Sequence, residues 1–306
     1  MNLASDAFCT ILLLRNYQGK TMITILDGGM GQELIGRSAA EPTPLWATKA
    51  LLEEPELVRA VHDDFFAAGA MVATTNSYAI HHDRLIAAGL DHQFEPLHRA
   101  ACEIACASRD AAGGGSVAGA IGPLIGSYQT GPLPQDAVDR FAEVCRIQAP
   151  YVDHFLIETV SALDHVRATL KGASGHGKPV WLSVSVDDYD GTKLRSGEPL
   201  EDVMNCIDGA DALLVNCATP EAVTMAVNVI KVCDKPFGAY ANGFTEITQS
   251  FVELGATVRE LSARTDLTPD AYAAFAEDWA RMGATIIGGC CEVGPEHIAE
   301  IVRRLI

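Results

Sequence analysis

The chain has 306 residues, and 22 Lys and Arg against 40 Asp and Glu leave a formal charge of −18. That balance opposes a nucleic-acid surface, which needs a basic excess, and no apolar run reaches the ~18 residues of a membrane helix. The nine cysteines, an odd number in a long chain with 48% hydrophobic residues, argue for a folded, soluble, intracellular protein and against a disulfide framework.

Residues 1–22 read as an N-terminal extension without fixed structure. Its apolar stretch, Phe8 to Leu14, has Asp6 before it and Arg15 after it. This is the reverse of a secretory signal's charge order, and no small-residue cleavage site follows. From Ile23 on, eight strand-like runs alternate with helical patterns. The runs are Ile23–Leu26, Met71–Thr75, Val117–Ile121, Phe155–Ile157, Val180–Val184, Ala212–Val215, Phe237–Tyr240 and Thr285–Ile287. Pro55 opens one helical pattern carried by Leu57, Val58, Val61, Phe65 and Phe66. Others run from Pro134 to Pro150, from Pro220 to Val232 and from Pro269 to Met282, the last with Thr268 as N-cap. Gly113-Gly114-Gly115 reads as the loop before the third strand. Eight β–α alternations without a shift in composition predict a single-domain (β/α)8 TIM barrel over residues 23–306. Its strands would be covered on both faces.

Three motifs follow predicted strands: Asp27-Gly28-Gly29-Met30-Gly31 after the first, Asn216-Cys217 after the sixth and Gly288-Gly289-Cys290-Cys291 after the eighth. The C-terminal strand ends of such a barrel surround one mouth, so these segments can converge there. Three converging thiolates suit zinc and leave its fourth position open. Gly288 and Gly289 would permit the sharp turn that lets adjacent cysteines both ligate. Buried cysteine is also a common small core residue, and either motif alone is weak; together at strand ends they favour zinc. Cys102 and Cys106, four apart on a helix, read as a packed face, and Cys9, Cys145, Cys206 and Cys233 as packing. His81-His82 reads as a polar loop pair. Neither a phosphate-binding GxxxxGK[ST] nor a dinucleotide-binding GxGxxG is present.

These residues resemble the homocysteine S-methyltransferase family from about Thr24 to the C-terminus. The likeness rests on Asp27 to Leu34, Thr74-Thr75-Asn76-Ser77-Tyr78, Glu158-Thr159, Asn216-Cys217, Gly288 to Cys291 and Pro295-Glu296-His297-Ile298. It implies a zinc-bearing barrel with Cys217, Cys290 and Cys291 as ligands. It also implies a substrate site of Asp27, Gly28, Glu158, Asn76, Tyr78 and Asn216. Asp27 and Glu158 match acidic positions that hold the homocysteine amino group, although for Asp27 a turn role beside Gly28 competes. Tyr78 reads as wall or core, and Asn216 as orienting the sulfur or the turn. The chain departs from the family pattern at Leu214, where a small residue is common, and at Glu292-Val293, where Gly-Thr is usual. The loop Ser127 to Leu133 is shorter than in many S-methylmethionine-dependent relatives. These changes bear on the methyl donor more than on the metal.

The expected reaction is methyl transfer to homocysteine, giving methionine, in the cytoplasm. A free thiol is mostly protonated at neutral pH. Zn²⁺ with three cysteinates carries a formal charge of about −1, and a substrate thiolate makes it about −2. Attack on a cationic donor then neutralises both charges, which favours a sulfonium or quaternary ammonium donor, S-methylmethionine or S-adenosylmethionine being preferred. Tyr78, Tyr128 and Trp46 could face that cation. The alternatives are a donor such as betaine or dimethylsulfoniopropionate, or a thiol-binding subunit serving a corrinoid partner. The length leaves no room for folate and cobalamin modules, and the chain stops at Ile306, just after the last helix, so a stand-alone enzyme is expected. The partners are small molecules, without nucleic acid or membrane, and a homo-oligomer stays open.

Overall fold

The computed structural model describes residues 22–38, 45–252 and 258–306. The expected extension before Met22, with Cys9, lies outside the described residues, and so does the side chain of Trp46. Eight short strands make one sheet: β1 (Thr24–Ile25), β2 (Val72–Thr74), β3 (Ser116–Ile121), β4 (His154–Val160), β5 (Val180–Val184), β6 (Ala212–Asn216), β7 (Phe237–Tyr240) and β8 (Ile286–Ile287). Their spatial order is β1-β8-β7-β6-β5-β4-β3-β2, and every pairing is parallel. The N–H of Met71 donates to the carbonyl of Ile25 at 2.7 Å, which brings the two ends of the row together. The expected (β/α)8 barrel is therefore present.

Around it lie α1 (Met30–Arg37), α2 (Trp46–Glu53), α3 (Pro55–Ala67), α4 (His82–Ala87), α5 (Phe94–Ala112), α6 (Ala137–Gln148), α7 (Leu163–Ala173), α8 (Pro220–Ile230), α9 (Gln249–Val252), α10 (Pro269–Arg281) and α11 (Pro295–Leu305). Helices α3, α8, α10 and α11 each begin on proline, whose missing N–H costs nothing in a first turn. Thr219 and Thr268 cap α8 and α10 by accepting from Ala222 and Ala271 N–H at 3.4 and 3.3 Å. Helix α6 starts at Ala137 and not at Pro134, because residues 134–137 close a turn from Ala137 N–H to the Pro134 carbonyl at 3.0 Å. Among the described residues no helix is long and apolar enough to cross a membrane.

Strand alternation separates two apolar regions and aims the chemistry. Phe155 and Ile157 of β4, Leu182 and Val184 of β5, and Leu213 and Val215 of β6 pack outward into the large core under the helices. Leu156, Ala212, Leu214 and Tyr240 point the other way and fill the barrel with Leu26, Val72, Ala118 and Ile286. One step further along the same inward series stand Glu158 on β4 and Asn216 on β6, so strand register alone carries them to the C-terminal mouth.

Two histidines correct the sequence reading. His81 is no polar loop residue: it is 2% exposed, and its Nε2 meets the Gly122 carbonyl at 2.9 Å. His82 opens α4, stacks on Phe94 at 3.8 Å and bonds Asp91 at 2.6 Å. The polar and small residues around His81 in sequence left its burial invisible to a composition argument. The cysteine expectation holds better. Cys102 and Cys145 are core residues, and Cys106, Cys206 and Cys233 pack against that core.

Buried imidazoles make stability depend on pH. His62 and His154 are almost fully buried, and their ring nitrogens have no partner among the described residues. Burial pushes His62 down to about 4 and His154 to about 3. Both stay neutral in the fold but take a proton when unfolded, so stability is full above about pH 6.5 and falls below it. Each proton contributes a slope of about 1.4 kcal/mol per pH unit between those limits. Denaturation in urea from pH 7 to 4.5 should be less steep in pH for His62→Leu. Parallel curves for variant and wild type would refute this account.

Candidate active site

Three cysteines meet at the barrel mouth. Cys217 follows β6, and Cys290 and Cys291 follow β8; their sulfurs all lie within 4.8 Å of one another. Backbone bonds hold the segments in place, Cys217 N–H to the Tyr240 carbonyl at 3.3 Å and Cys290 N–H to that of Ala241 at 3.0 Å. The glycines before the pair serve close packing. Neither Gly288 nor Gly289 is left-handed, which corrects the expectation that they relax the backbone. A Cβ on Gly288 would come within 2.5 Å of Leu26, and one on Gly289 within 2.1 Å of Val293. Gly28 and Gly29 are needed for the same reason, since Cβ atoms there would reach the Val293 and Cys290 carbonyls at 2.1 and 2.7 Å.

The same convergence brings two of the three sulfurs together. Cys217 and Cys290 are joined as a disulfide, with Cα atoms 5.9 Å apart, and Cys291 is free. The strand ends that aim three sulfurs at one point also bring two of them within bonding reach. Burial, with Glu292 and Glu158 nearby, pushes the Cys291 thiol up to about 12.

Two carboxylates enter the same mouth. Asp27, 4% exposed, accepts the Thr74 N–H at 2.6 Å and its hydroxyl at 2.7 Å, so it bridges β1 and β2 where the row of strands closes. This partner across the barrel, and no local turn, is what its side chain serves. Burial pushes Asp27 up to about 6, against the pull of the Thr74 bonds. Glu158 accepts the Tyr240 hydroxyl at 3.1 Å. Burial pushes it up to about 8; the Tyr240 bond opposes the rise and the charge of Asp27 adds to it. A pair of buried acids, one mostly ionised and one mostly protonated near neutral pH, is suited to receive a cationic group, which favours the ionised form of both.

Asn216 touches neither a sulfur nor a carboxylate. Its Oδ1 accepts the Thr159 N–H at 3.0 Å and the Ser183 hydroxyl at 2.8 Å, and its Nδ2 donates to Thr159 Oγ1 at 3.0 Å. Thr159 lies where the β4–β5 register shifts, immediately after Glu158. Asn216 thus links the carboxylate strand to the cysteine that follows it in sequence. Asn76 donates to the Ala47 carbonyl at 2.8 Å, and Tyr78, half-buried, pairs its hydroxyl with Ser127 at 2.8 Å. Tyr128 is buried, and burial first, with Cys291 nearby second, pushes its hydroxyl well above the usual phenol range.

Among the described residues, four that are not glycine have a left-handed backbone: Tyr128 (φ 65°), Thr159 (60°), Cys217 (53°) and Glu292 (62°). Each is in the cluster, next to it or over it. Such conformations cost about 1–3 kcal/mol and persist only where surrounding contacts enforce them. Glu292, where the family resemblance leads to an expectation of glycine, adopts a conformation that glycine takes easily.

Sequence reasoning missed Thr159, Ser183, Ser185, Asp188, Arg195 and Tyr240. The alternating Ser183 and Ser185 on an otherwise apolar strand were a signal of an inward polar face. Asp188 and Arg195 sit on the loop after β5, at the mouth end of the barrel, where such residues tend to be functional.

The model of the family described as homocysteine S-methyltransferase matches residues 24–305. The homocysteine S-methyltransferase of Escherichia coli K12 is 30% identical, over 95% of this chain and 98% of its own. YbgG of Bacillus subtilis 168, also described as a homocysteine S-methyltransferase, is 29% identical over 91% and 93%. The crystal structure of the E. coli homocysteine methyltransferase MmuM in its metallated form superposes with a TM-score of 0.76, at 27% identity over 96% of this chain and 98% of that one. Its oxidised form gives the same TM-score.

Proposed function

The chain belongs to the homocysteine S-methyltransferase family, and on that premise we propose that it methylates the thiol of homocysteine to give methionine, using zinc and a sulfonium donor. The observation that carries this reading is the meeting of three cysteine sulfurs with two buried carboxylates in one barrel mouth. Family relatives of almost equal length support the acceptor, and a metallated relative of similar fold supports a metal.

The donor set fits zinc. Three sulfurs around one ion at about 2.3 Å stand roughly 3.8 Å apart in tetrahedral geometry, and those of Cys217, Cys290 and Cys291 are within 4.8 Å. Three thiolates leave one open position, the pattern of a catalytic site. Zinc, when bound, would supply the Lewis acidity that lowers a substrate thiol's pKa. The remaining work falls to the chain. Asp27 and Glu158 take the substrate ammonium, Glu158 giving up its proton as the cation arrives, and the Tyr240 hydroxyl aims Glu158. Gly28 adds no side chain but lets the β1 loop approach the cysteine loop. Asn76 and Tyr78 bound the mouth from the β2 side, and Tyr128 covers it. The substrate sulfur attacks the methyl carbon, an S–C bond forms, and the old C–S bond breaks with its electron pair returning to the donor sulfur. Opposite charges are consumed together, which favours a cationic donor, and among these the proposed one is a sulfonium, S-methylmethionine or S-adenosylmethionine. Holding sulfur and methyl about 3–3.5 Å apart supplies much of the acceleration. The cytoplasm would keep the three thiols reduced.

The test is a metal assay on reduced protein with methionine formation from homocysteine across S-methylmethionine, S-adenosylmethionine, betaine and dimethylsulfoniopropionate. About one zinc per chain and turnover with a sulfonium methionine derivative are expected. Full activity in metal-free protein would overturn the zinc reading, and turnover with betaine alone the donor assignment.

A further inference from the structure

Behind Cys217 lies a buried arginine that the family likeness did not point to. Arg195 is part of the loop after β5, and its side chain is 10% exposed. Its Nε donates to Ser185 Oγ at 2.8 Å, and its two terminal nitrogens donate to Asp188 at 3.2 and 2.9 Å. The nitrogen at 2.9 Å from Asp188 also donates to the Cys217 carbonyl at 3.0 Å. Ser185 Oγ donates to the same carbonyl at 3.2 Å. One face of the guanidinium is covered by Tyr128, with the ring centroid 4.6 Å from its central carbon. Asp188 in turn accepts the N–H groups of Thr219 and Ile247 at 3.2 and 2.8 Å, so it ties the loops after β5, β6 and β7 together.

The carbonyl that receives both donors belongs to a residue with φ of 53°. A left-handed cysteine is strained, and its carbonyl is the group that would swing if the backbone relaxed. The same swing would turn the Cys217 sulfur away from those of Cys290 and Cys291. Asp188 neutralises Arg195 at contact distance, so the effect of this arginine on the sulfurs is geometric and not a matter of net charge.

We propose that Arg195 is a positioning residue: the edge of its guanidinium locks the Cys217 carbonyl and thereby aims the thiol, while its face holds Tyr128 over the same site. Only a planar fork can meet Ser185, Asp188 and the carbonyl along its edges and still offer a flat face to an aromatic ring. Lysine has three donors on one atom and no such face. The inference rests on the metal-binding reading above for its main readout.

The experiment titrates reduced, full-length protein with Co²⁺ and follows the thiolate charge-transfer and ligand-field bands in wild type, Arg195→Lys and Arg195→Met, with folding checked by circular dichroism. Both variants should bind Co²⁺ about 10- to 100-fold more weakly, the usual cost of losing a group that orients a metal ligand, and show altered ligand-field bands. Wild-type affinity and spectrum in folded Arg195→Lys would overturn the proposal. If neither arginine variant folds, Ser185→Ala removes a donor to the same carbonyl and leaves Asp188 paired. Weaker Co²⁺ binding there supports the proposal, and unchanged binding overturns it. If wild type itself binds no Co²⁺, the metal reading fails separately. The positioning is then read from the iodoacetamide alkylation rate of Cys217, followed by mass spectrometry. A rate shifted about tenfold in Arg195→Lys, on the same scale of effect, supports it, and an equal rate overturns it.

Discussion

Cys290→Ala should leave a folded barrel that holds metal at least about a hundredfold more weakly and has lost nearly all methyl transfer. The half-buried Cys290 is on the loop after β8, so its removal takes little from the core under the helices. What is lost is one of three sulfurs that converge within 4.8 Å, and two thiolates are a poor site for a borderline metal. The same variant cannot form the Cys217–Cys290 disulfide. Disulfide and metal are alternative uses of the same two sulfurs, because the metal takes them as thiolates. Protein in which Cys217 and Cys290 have oxidised should therefore bind zinc only after reduction, with two more thiols reacting with Ellman's reagent than before. Metal analysis after dialysis, beside the methionine assay, checks both points. One tightly held zinc and full activity in Cys290→Ala would remove this site from consideration.

Asn216→Ala should be the most damaging change that touches neither a sulfur nor a carboxylate. It strips two buried donors, the Thr159 N–H and the Ser183 hydroxyl, of their acceptor. Each buried unsatisfied donor costs about 1–3 kcal/mol, so a loss of about 2–6 kcal/mol in urea denaturation is expected. The functional effect has a separate cause. Thr159, at φ of 60°, is held left-handed by that side chain, and it directly follows Glu158. Once released, Thr159 should relax and swing the carboxylate, raising the KM for homocysteine by at least tenfold, on the scale of lost hydrogen bonds to a charged group. Asn216→Asp tests the two halves, since it keeps the acceptor but loses the amide donor and buries a charge. A stability loss in Asn216→Ala without any change in KM would separate Thr159 from Glu158.

Much of this molecule was legible in residue order. Apolar runs of strand length, with prolines and threonines opening the helices between them, gave eight β–α units, because periodicity and first-turn chemistry are local properties of the chain. The cysteine motifs were legible because each immediately follows a strand, and a barrel has only one mouth. Asp27 and Glu158 were found by family likeness, but their partners were not. Thr74 and Tyr240 lie 47 and 82 residues away in sequence, a separation that no local pattern records. His81 was misread for a related reason: a histidine in a run of polar and small residues looks the same whether or not a distant carbonyl receives it.

By itself, then, the sequence of 306 residues with its −18 charge and nine cysteines determined one barrel, three strand-end sulfurs and the kind of reaction they suit. Tertiary structure alone decided that Gly288 and Gly289 serve contact and not backbone freedom. It decided that Asn216 serves Thr159, and that Arg195 and Ser185 hold the carbonyl of Cys217. The physical reason is the same in each case. Helix and strand patterns follow from what a residue does to its own backbone, whereas the pairing of buried donors and acceptors follows from which strand ends the closed barrel makes neighbours.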